Sequence, residues 1–206
     1  MASRKSWNGH FAIHGGFDSY RWNEKRLVHI RHSLAGHFGH KNIIKYSNRP
    51  FGSVEEMDTK MIERWNTVVK HDDHVYHLGD FCFRSQHEGQ SILNRLNGKK
   101  HLILGNHDKV GRTLHGWEWI KDYHEMYVDG QFIVLCHYAM RVWNKSHHGA
   151  WMLYGHSHGS LPDDPNALSF DVGVDCHDFT PLSIPEIRRI MKKKTWKPVD
   201  HHGDSE

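Results

Sequence analysis

The chain has little cysteine, little proline and no long apolar run. Its three cysteines, Cys82, Cys136 and Cys176, are widely spaced, with no Cys-x-x-Cys pair. An odd, scattered set makes a poor disulfide framework and fits a reducing compartment better. No stretch approaches the roughly 18 apolar residues of a membrane span, so no membrane partner is expected. The first residues lack the apolar centre of a secretory signal, and the cytoplasm is the expected location. Charge of one sign is scarce as well. Lys and Arg number 27 against 24 Asp and Glu, a net +3, which is too little to argue for a polynucleotide partner. No internal repeat stands out.

What is present is the composition of a globular protein, 37% hydrophobic and 25% charged over 206 residues. That length makes one domain spanning 1–206. Residues 1–33 read poorly within it, and 198–206 are expected to be a frayed tail. Histidine is the outlier, at 22 residues. Such a count favours metal binding but does not place a site. Basic residues crowd one segment, with Arg188, Arg189, Lys192, Lys193, Lys194 and Lys197. A solvated helix face explains them, with a patch for an anionic ligand as the alternative.

Along the chain, residues 27–34 form the first strand-like run. Arg31 and His32 interrupt its alternation, which makes it a poor buried strand. Residues 53–69 read as a helix, with Ser53 and Glu56 as a capping box and Met57, Met61, Trp65 and Val68 at helical spacing toward the core. Residues 73–78 read as a strand, 85–96 as a helix, and 101–104 as a strand. Residues 123–128 and 131–136 flank Asp129-Gly130, which suits a type I′ hairpin turn. Further strands are expected at 151–154 and 168–174, and a last helix at 184–194. Helices and strands so mixed predict an α/β sandwich with its sheets covered by helices.

Four short pieces share one design. A strand ends, and metal-capable residues follow, in three of the four right after a glycine. The pieces are Gly79-Asp80, Gly105-Asn106-His107-Asp108, His137 after Cys136, and Gly155-His156-Ser157-His158. Strand ends hold ligands rigidly while letting them project into a cleft. Asp, Asn and His make a mixed oxygen and nitrogen site suited to Mn, Fe, Zn, Co or Ni. The lack of thiolates in these pieces speaks against structural zinc. A carboxylate such as Asp80 can bridge two ions about 3.5–4 Å apart, a spacing that lets them activate water and clamp a phosphoryl group.

In this order the pieces resemble the GD, GNHD, H and GHxH motifs of the calcineurin-like metallophosphoesterases. The resemblance covers roughly residues 37–174. The stretches 37–44 and 154–175 look like the small bacterial and phage-type members. It implies an α/β fold of two mixed sheets packed face to face and flanked by helices. It implies two divalent metal ions, manganese first, with iron, zinc, nickel, cobalt or magnesium as alternatives. Asp80 would bridge them. Asn106, His137 and His156 would complete one position, and His37 and His158 would belong to the other. His107 would stabilise or protonate near the phosphate, with Asp108 orienting it. The implied activity is hydrolysis of a phosphodiester or nucleotide by in-line attack of a metal-bound hydroxide.

One position departs from the pattern. The family's first motif is DxH, and here Ala35 stands where its Asp would be, two residues before His37. Three explanations are open. The second metal position is weak; or Asp18 or His40 replaces the carboxylate; or the N-terminal stretch carries a reading-frame artefact that ends near Gly36-His37. Around the motifs, His40, Arg84 and Arg141 are candidate substrate contacts, and Tyr138, Trp143, Asn144, His147 and His148 belong to a loop able to stack a nucleobase. Asp171 and Asp175 read as structural. The leading function is a metal-dependent phosphoesterase acting on a small phosphate ester or nucleotide. One alternative is a degenerate member that binds metal and a nucleotide or polynucleotide with weak or no turnover. A nucleic-acid-processing role through the basic C-terminal segment is another.

Overall fold

A computed structural model of the protein describes residues 30–33, as backbone, and 36–199. Ala35 and Asp18 therefore lie outside the described residues, as do most of the segment 1–33 and residues 200–206 of the expected tail.

In chain order the elements are β1 (Ile30–Ser33), α1 (Ile43–Tyr46), α2 (Val54–Val68), β2 (His74–His77), α3 (Gln86–Arg95), β3 (Lys99–Ile103), β4 (Trp117–Lys121), β5 (Tyr123–Val128), β6 (Gln131–Cys136), β7 (Trp151–Tyr154), β8 (Ser169–Asp171), β9 (Leu182–Ser183) and α4 (Ile184–Met191). They build two mixed sheets. One has five strands in the order β4-β3-β2-β1-β9, and the other has four in the order β5-β6-β7-β8. In the first sheet only β9 runs antiparallel to its neighbour. In the second, the β5–β6 hairpin is antiparallel and β6, β7 and β8 are parallel.

Alternation along the strands sorts the core into layers. Tyr76 of β2 and Leu78 just after it, Ile103 from β3, Ile133 and Leu135 from β6, and Trp151 and Leu153 from β7 meet between the sheets. Val75 faces the other way and packs with Met57, Met61, Ile62 and Trp65 of α2 and Ile92 and Leu93 of α3. Val134, Cys136, Met152 and Tyr154 cover the outer face of the second sheet. The starts of α2, α3 and α4 are chemically marked. Ser53 accepts the Glu56 N–H at 3.1 Å while the Glu56 carboxylate takes the Gly52 N–H at 2.8 Å. Ser85 with Glu88 and Ser183 with Glu186 form capping boxes.

The hairpin forms as expected, with Asp129 at φ 49° and Gly130 at φ 76°, the two left-handed residues of a type I′ turn. Other expectations need correction. The polar run 27–34 contributes β1, an interior strand paired to β2 on one side and β9 on the other. Its place follows from backbone pairing with neighbours, which alternation does not report. The expected strand 168–174 stops at Asp171, because that carboxylate accepts the N–H groups of Gly173 at 2.7 Å and Gly159 at 3.0 Å and turns the chain. The strand β4 and the short β9 were not expected. The last helix ends at Met191, and exposed Arg189, Lys192 and Lys193 give its end a solvated basic face. Lys194 is tied to Asp163 at 2.6 Å. Among the described residues, no helix is long and apolar enough to cross a membrane, and the three cysteines are free.

Candidate metal centre

The C-terminal ends of β2, β3, β6 and β7 meet at one edge of the sandwich, so the candidate residues come from both sheets. Asp80 and Asn106 follow β2 and β3, while His137, His156 and His158 follow β6 and β7. His37 runs beside the Asp80 turn, donating its backbone N–H to Asp80 O at 3.0 Å, and Phe38 continues the pairing to Phe81 O at 3.1 Å.

Backbone strain concentrates here. Among the described residues, nine non-glycine residues have positive φ, and four of them are His37, Asp80, His156 and His158, at 50°, 54°, 52° and 49°. Left-handed backbone at a side-chain-bearing residue costs about 1–3 kcal/mol each and persists where the surroundings impose it. Glycine is required just before Asp80. A Cβ on Gly79, at φ 103°, would collide with His137 Nδ1 and the Gly105 backbone.

The donor atoms converge. His137 Nε2 lies 3.5 Å from Asp80 Oδ2, 3.0 Å from Asn106 Oδ1 and 3.1 Å from His156 Nδ1. His137 Nδ1 is 2.7 Å from the Leu78 carbonyl oxygen. A carbonyl only accepts, so Nδ1 carries the proton, and Nε2 is the ring nitrogen that faces the other donor atoms. Asp80, His137 and His156 form a group able to hold a metal ion. A cation among these donor atoms removes their mutual repulsion, and Asn106 adds an oxygen from the open side. The residues present therefore fit a divalent metal at this position.

The second position is less complete. His37 Nε2 is 3.6 Å from Asp80 Oδ2, and the His37 and His158 rings are 4.6 Å apart. His158 donates Nδ1–H to Asp175 Oδ2 at 2.7 Å, which leaves its Nε2 lone pair for a ligand. Burial pulls the Asp175 carboxyl up, but hydrogen bonds from His158 and Arg49 and the Arg49 charge outweigh it and hold it below the usual carboxylate range. Burial, followed by the His137 charge, lowers His156. His40 is lowered by burial and then by His107, Arg49 and His158, and its buried Nδ1 has no hydrogen-bond partner among the described residues.

Two expected roles change. Asp108 was expected to orient His107. Its Oδ2 instead accepts the backbone N–H groups of Asp80 at 2.7 Å and Gly105 at 2.8 Å, and its Oδ1 accepts that of Phe81 at 2.8 Å. Both oxygens thus brace the two ligand turns. Burial pushes this carboxyl up against those three bonds. The exposed His107 is fixed through its backbone, whose N–H donates to Asp80 Oδ1 at 2.8 Å. Arg84 was a candidate phosphate contact, but it faces Asp58 at 3.2 Å, Glu55 at 3.4 Å and Glu88 at 3.7 Å. Arg141 is exposed and lines a separate cavity of about 410 Å³ with Trp143, Tyr154 and Trp196.

The structure adds residues that the sequence did not single out. Phe83 packs its ring against His37 at 5.0 Å, His40 at 4.1 Å and His107 at 5.1 Å, making an apolar floor. Tyr138, already a candidate in the loop after His137, lies 4.7 Å from the His156 ring. Asp58 accepts the Gly39 N–H at 2.8 Å. Only its place at the turn after Asp80 could have marked Phe83.

Comparison with known proteins agrees with this geometry. Residues 57–169 match the profile of the calcineurin-like phosphoesterase superfamily domain. An uncharacterized protein of Methanocaldococcus jannaschii is 34% identical over 164 residues, covering 76% of this chain and 88% of that one. The gene 66 protein of Mycobacterium phage L5 is 39% identical over 75 residues, 35% of this chain and 36% of its own. The crystal structure of a protein of unknown function from Aquifex aeolicus shares the fold, with a TM-score of 0.62 at 24% identity, covering 79% of this chain and 98% of that one.

Proposed function

The chain belongs to the calcineurin-like phosphoesterase superfamily, a family of metal-dependent phosphoester hydrolases, and from that premise we propose that it hydrolyses small phosphodiesters or nucleotides at the centre around Asp80. The observation that carries this reading is the convergence of Asp80, Asn106, His137 and His156 on one point, with His137 Nε2 aimed into it.

Asp80, Asn106, His137 and His156 would hold one divalent ion, and Asp80 would reach a second one beside His37 and His158. Such ions supply Lewis acidity, acidifying water and offsetting the charge of a phosphoryl group. The protein's own groups do the rest. Asp108 keeps the Asp80 and Gly105 turns in register. His107, exposed at the rim and anchored through Asp80, is placed to donate a proton to a leaving oxygen. Phe83 closes one side with an apolar ring, which limits water around that imidazole. The separate cavity walled by Trp143, Tyr154 and Trp196 also includes Ala139, two residues past His137 in the chain, and its volume would hold the organic part of a nucleotide.

The competing reading is a metal-holding binder without turnover, and Ala35 favours it. Metal analysis of protein purified without chelator or metal-binding tag, with turnover of a chromogenic phosphodiester in added Mn²⁺, separates the two. Catalysis that disappears in His137→Ala supports the hydrolase. Bound metal without turnover, restored by Ala35→Asp, supports the binder. A protein that takes up no metal refutes both.

A further inference from the structure

Arg49 is a buried cation, 4% exposed, with the Met57 and Met61 sulfurs at 3.4 and 3.8 Å and the Phe179 ring 5.6 Å away. A guanidinium in such surroundings persists only where its charge and its N–H groups are matched. Asp175 matches it with two parallel bonds, Nε to Oδ1 at 2.7 Å and Nη2 to Oδ2 at 2.8 Å. The remaining arm, Nη1, donates to the Gly36 carbonyl at 3.1 Å. Gly36 is the residue before His37. Asp175 Oδ2 in turn accepts the His158 Nδ1–H at 2.7 Å. One guanidinium thus ties the His37 turn to the His158 loop, and these two imidazoles are the ones assigned above to the second metal position.

We propose that Arg49 and Asp175 are a positioning pair that sets His37 and His158 for the second metal, the half of the centre that lacks a carboxylate at residue 35. This rests on the phosphoesterase reading. Asp175 acts in this arrangement through its hydrogen bonds, with Arg49 and His158 engaging its oxygens. Its effect is to fix the tautomer and direction of His158, and Arg49 transmits that register to Gly36. The planar fork is essential, since a lysine ammonium cannot hold a carboxylate by two parallel bonds while reaching a third acceptor. The first position has its own supports, Asp108 beneath Asp80 and the Leu78 carbonyl behind His137. Damage to the pair should therefore separate the two metal equivalents instead of weakening both.

The test is titration of metal-free protein with Mn²⁺ by calorimetry, with electron paramagnetic resonance to detect a coupled ion pair. Asp175→Asn and Arg49→Lys are compared with wild type, and thermal unfolding of each metal-free variant checks the fold. Arg49→Lys keeps the buried charge and so guards against a variant that does not fold. The expected result is an unchanged first equivalent and a second equivalent weakened about 10–100-fold, the usual effect of losing a group that orients a ligand, with the coupled signal lost at matched Mn²⁺. Two equivalents bound by a variant with wild-type affinity would overturn the proposal. So would equal weakening of both equivalents, which marks a general packing role. A wild type that takes only one equivalent overturns the two-metal reading itself, and the pair's role with it.

Discussion

Replacing His77 by leucine should stabilise the protein, and more so in acid. The His77 side chain is 1% exposed, and among the described residues neither ring nitrogen has a hydrogen-bond partner. Its neighbours are the Phe81 ring at 5.3 Å and the Trp117 ring at 6.2 Å. A buried polar group without a partner costs about 1–3 kcal/mol, and an apolar side chain of similar size removes that cost. Burial, followed by the His137 charge, lowers the imidazole from 6.5 to about 3 in the folded protein. The unfolded chain binds the proton that the folded one refuses, so stability falls as pH drops from 6.5 toward about 3. One unit below the unfolded value, near pH 5.5, the loss from this one residue is about 1.4 kcal/mol, and near pH 7.5 it is close to zero. Urea unfolding of metal-free wild type and His77→Leu at these two pH values measures both effects. Metal-free protein is needed because protonated ligands release metal and would add their own pH dependence. A variant less stable at both pH values, or one whose stability changes between them as much as wild type does, would refute the reasoning.

Three further outcomes follow from the site. Asp108→Asn turns an amide donor toward backbone N–H groups. It should cost about 1–3 kcal/mol of stability and lower Mn²⁺ affinity, measured by urea unfolding and calorimetry; a change in kcat alone would return Asp108 to its expected role beside His107. Gly79→Ala should destabilise by about 1–3 kcal/mol or more and displace His137, so that thermal unfolding loses its response to Mn²⁺. Chelation of metal-loaded protein should lower its unfolding temperature, with a Mn²⁺ titration restoring about 2.7 kcal/mol at one hundred times Kd.

The parts of the structure that the sequence showed are those written in local code. Asp129-Gly130 dictates its hairpin because the turn needs two left-handed residues in a row. Met57, Met61 and Trp65 mark one face of α2, and that face is buried. Asp80, Asn106, His137 and His156 follow strand ends, and parallel strands bring such ends to one edge. What stayed hidden depends on distant partners. The neighbours of β1 come from β2 and β9, and nothing in a polar eight-residue run names them. Arg49 and Asp175 are 126 positions apart, and a lone arginine before a proline carries no mark of its mate. Asp108 adjoins His107 in sequence, but the turn aims its carboxylate at the backbone of the neighbouring strand end.

The split of the donors between two sheets has a mechanical consequence. Asp80 and Asn106 follow strands of one sheet, and His137 and His156 follow strands of the other, with His137 Nε2 3.0 to 3.5 Å from a donor atom of each of the other three. An ion held by all four is a cross-link over a seam otherwise held by side-chain packing and the His137–Leu78 hydrogen bond. Removing it frees the two sheets to part at that edge while leaving each sheet's own ladder of hydrogen bonds intact. Amide exchange after chelation should therefore rise first in the turns at 79–81, 105–108 and 155–159, and last in the middle of β6 and β7.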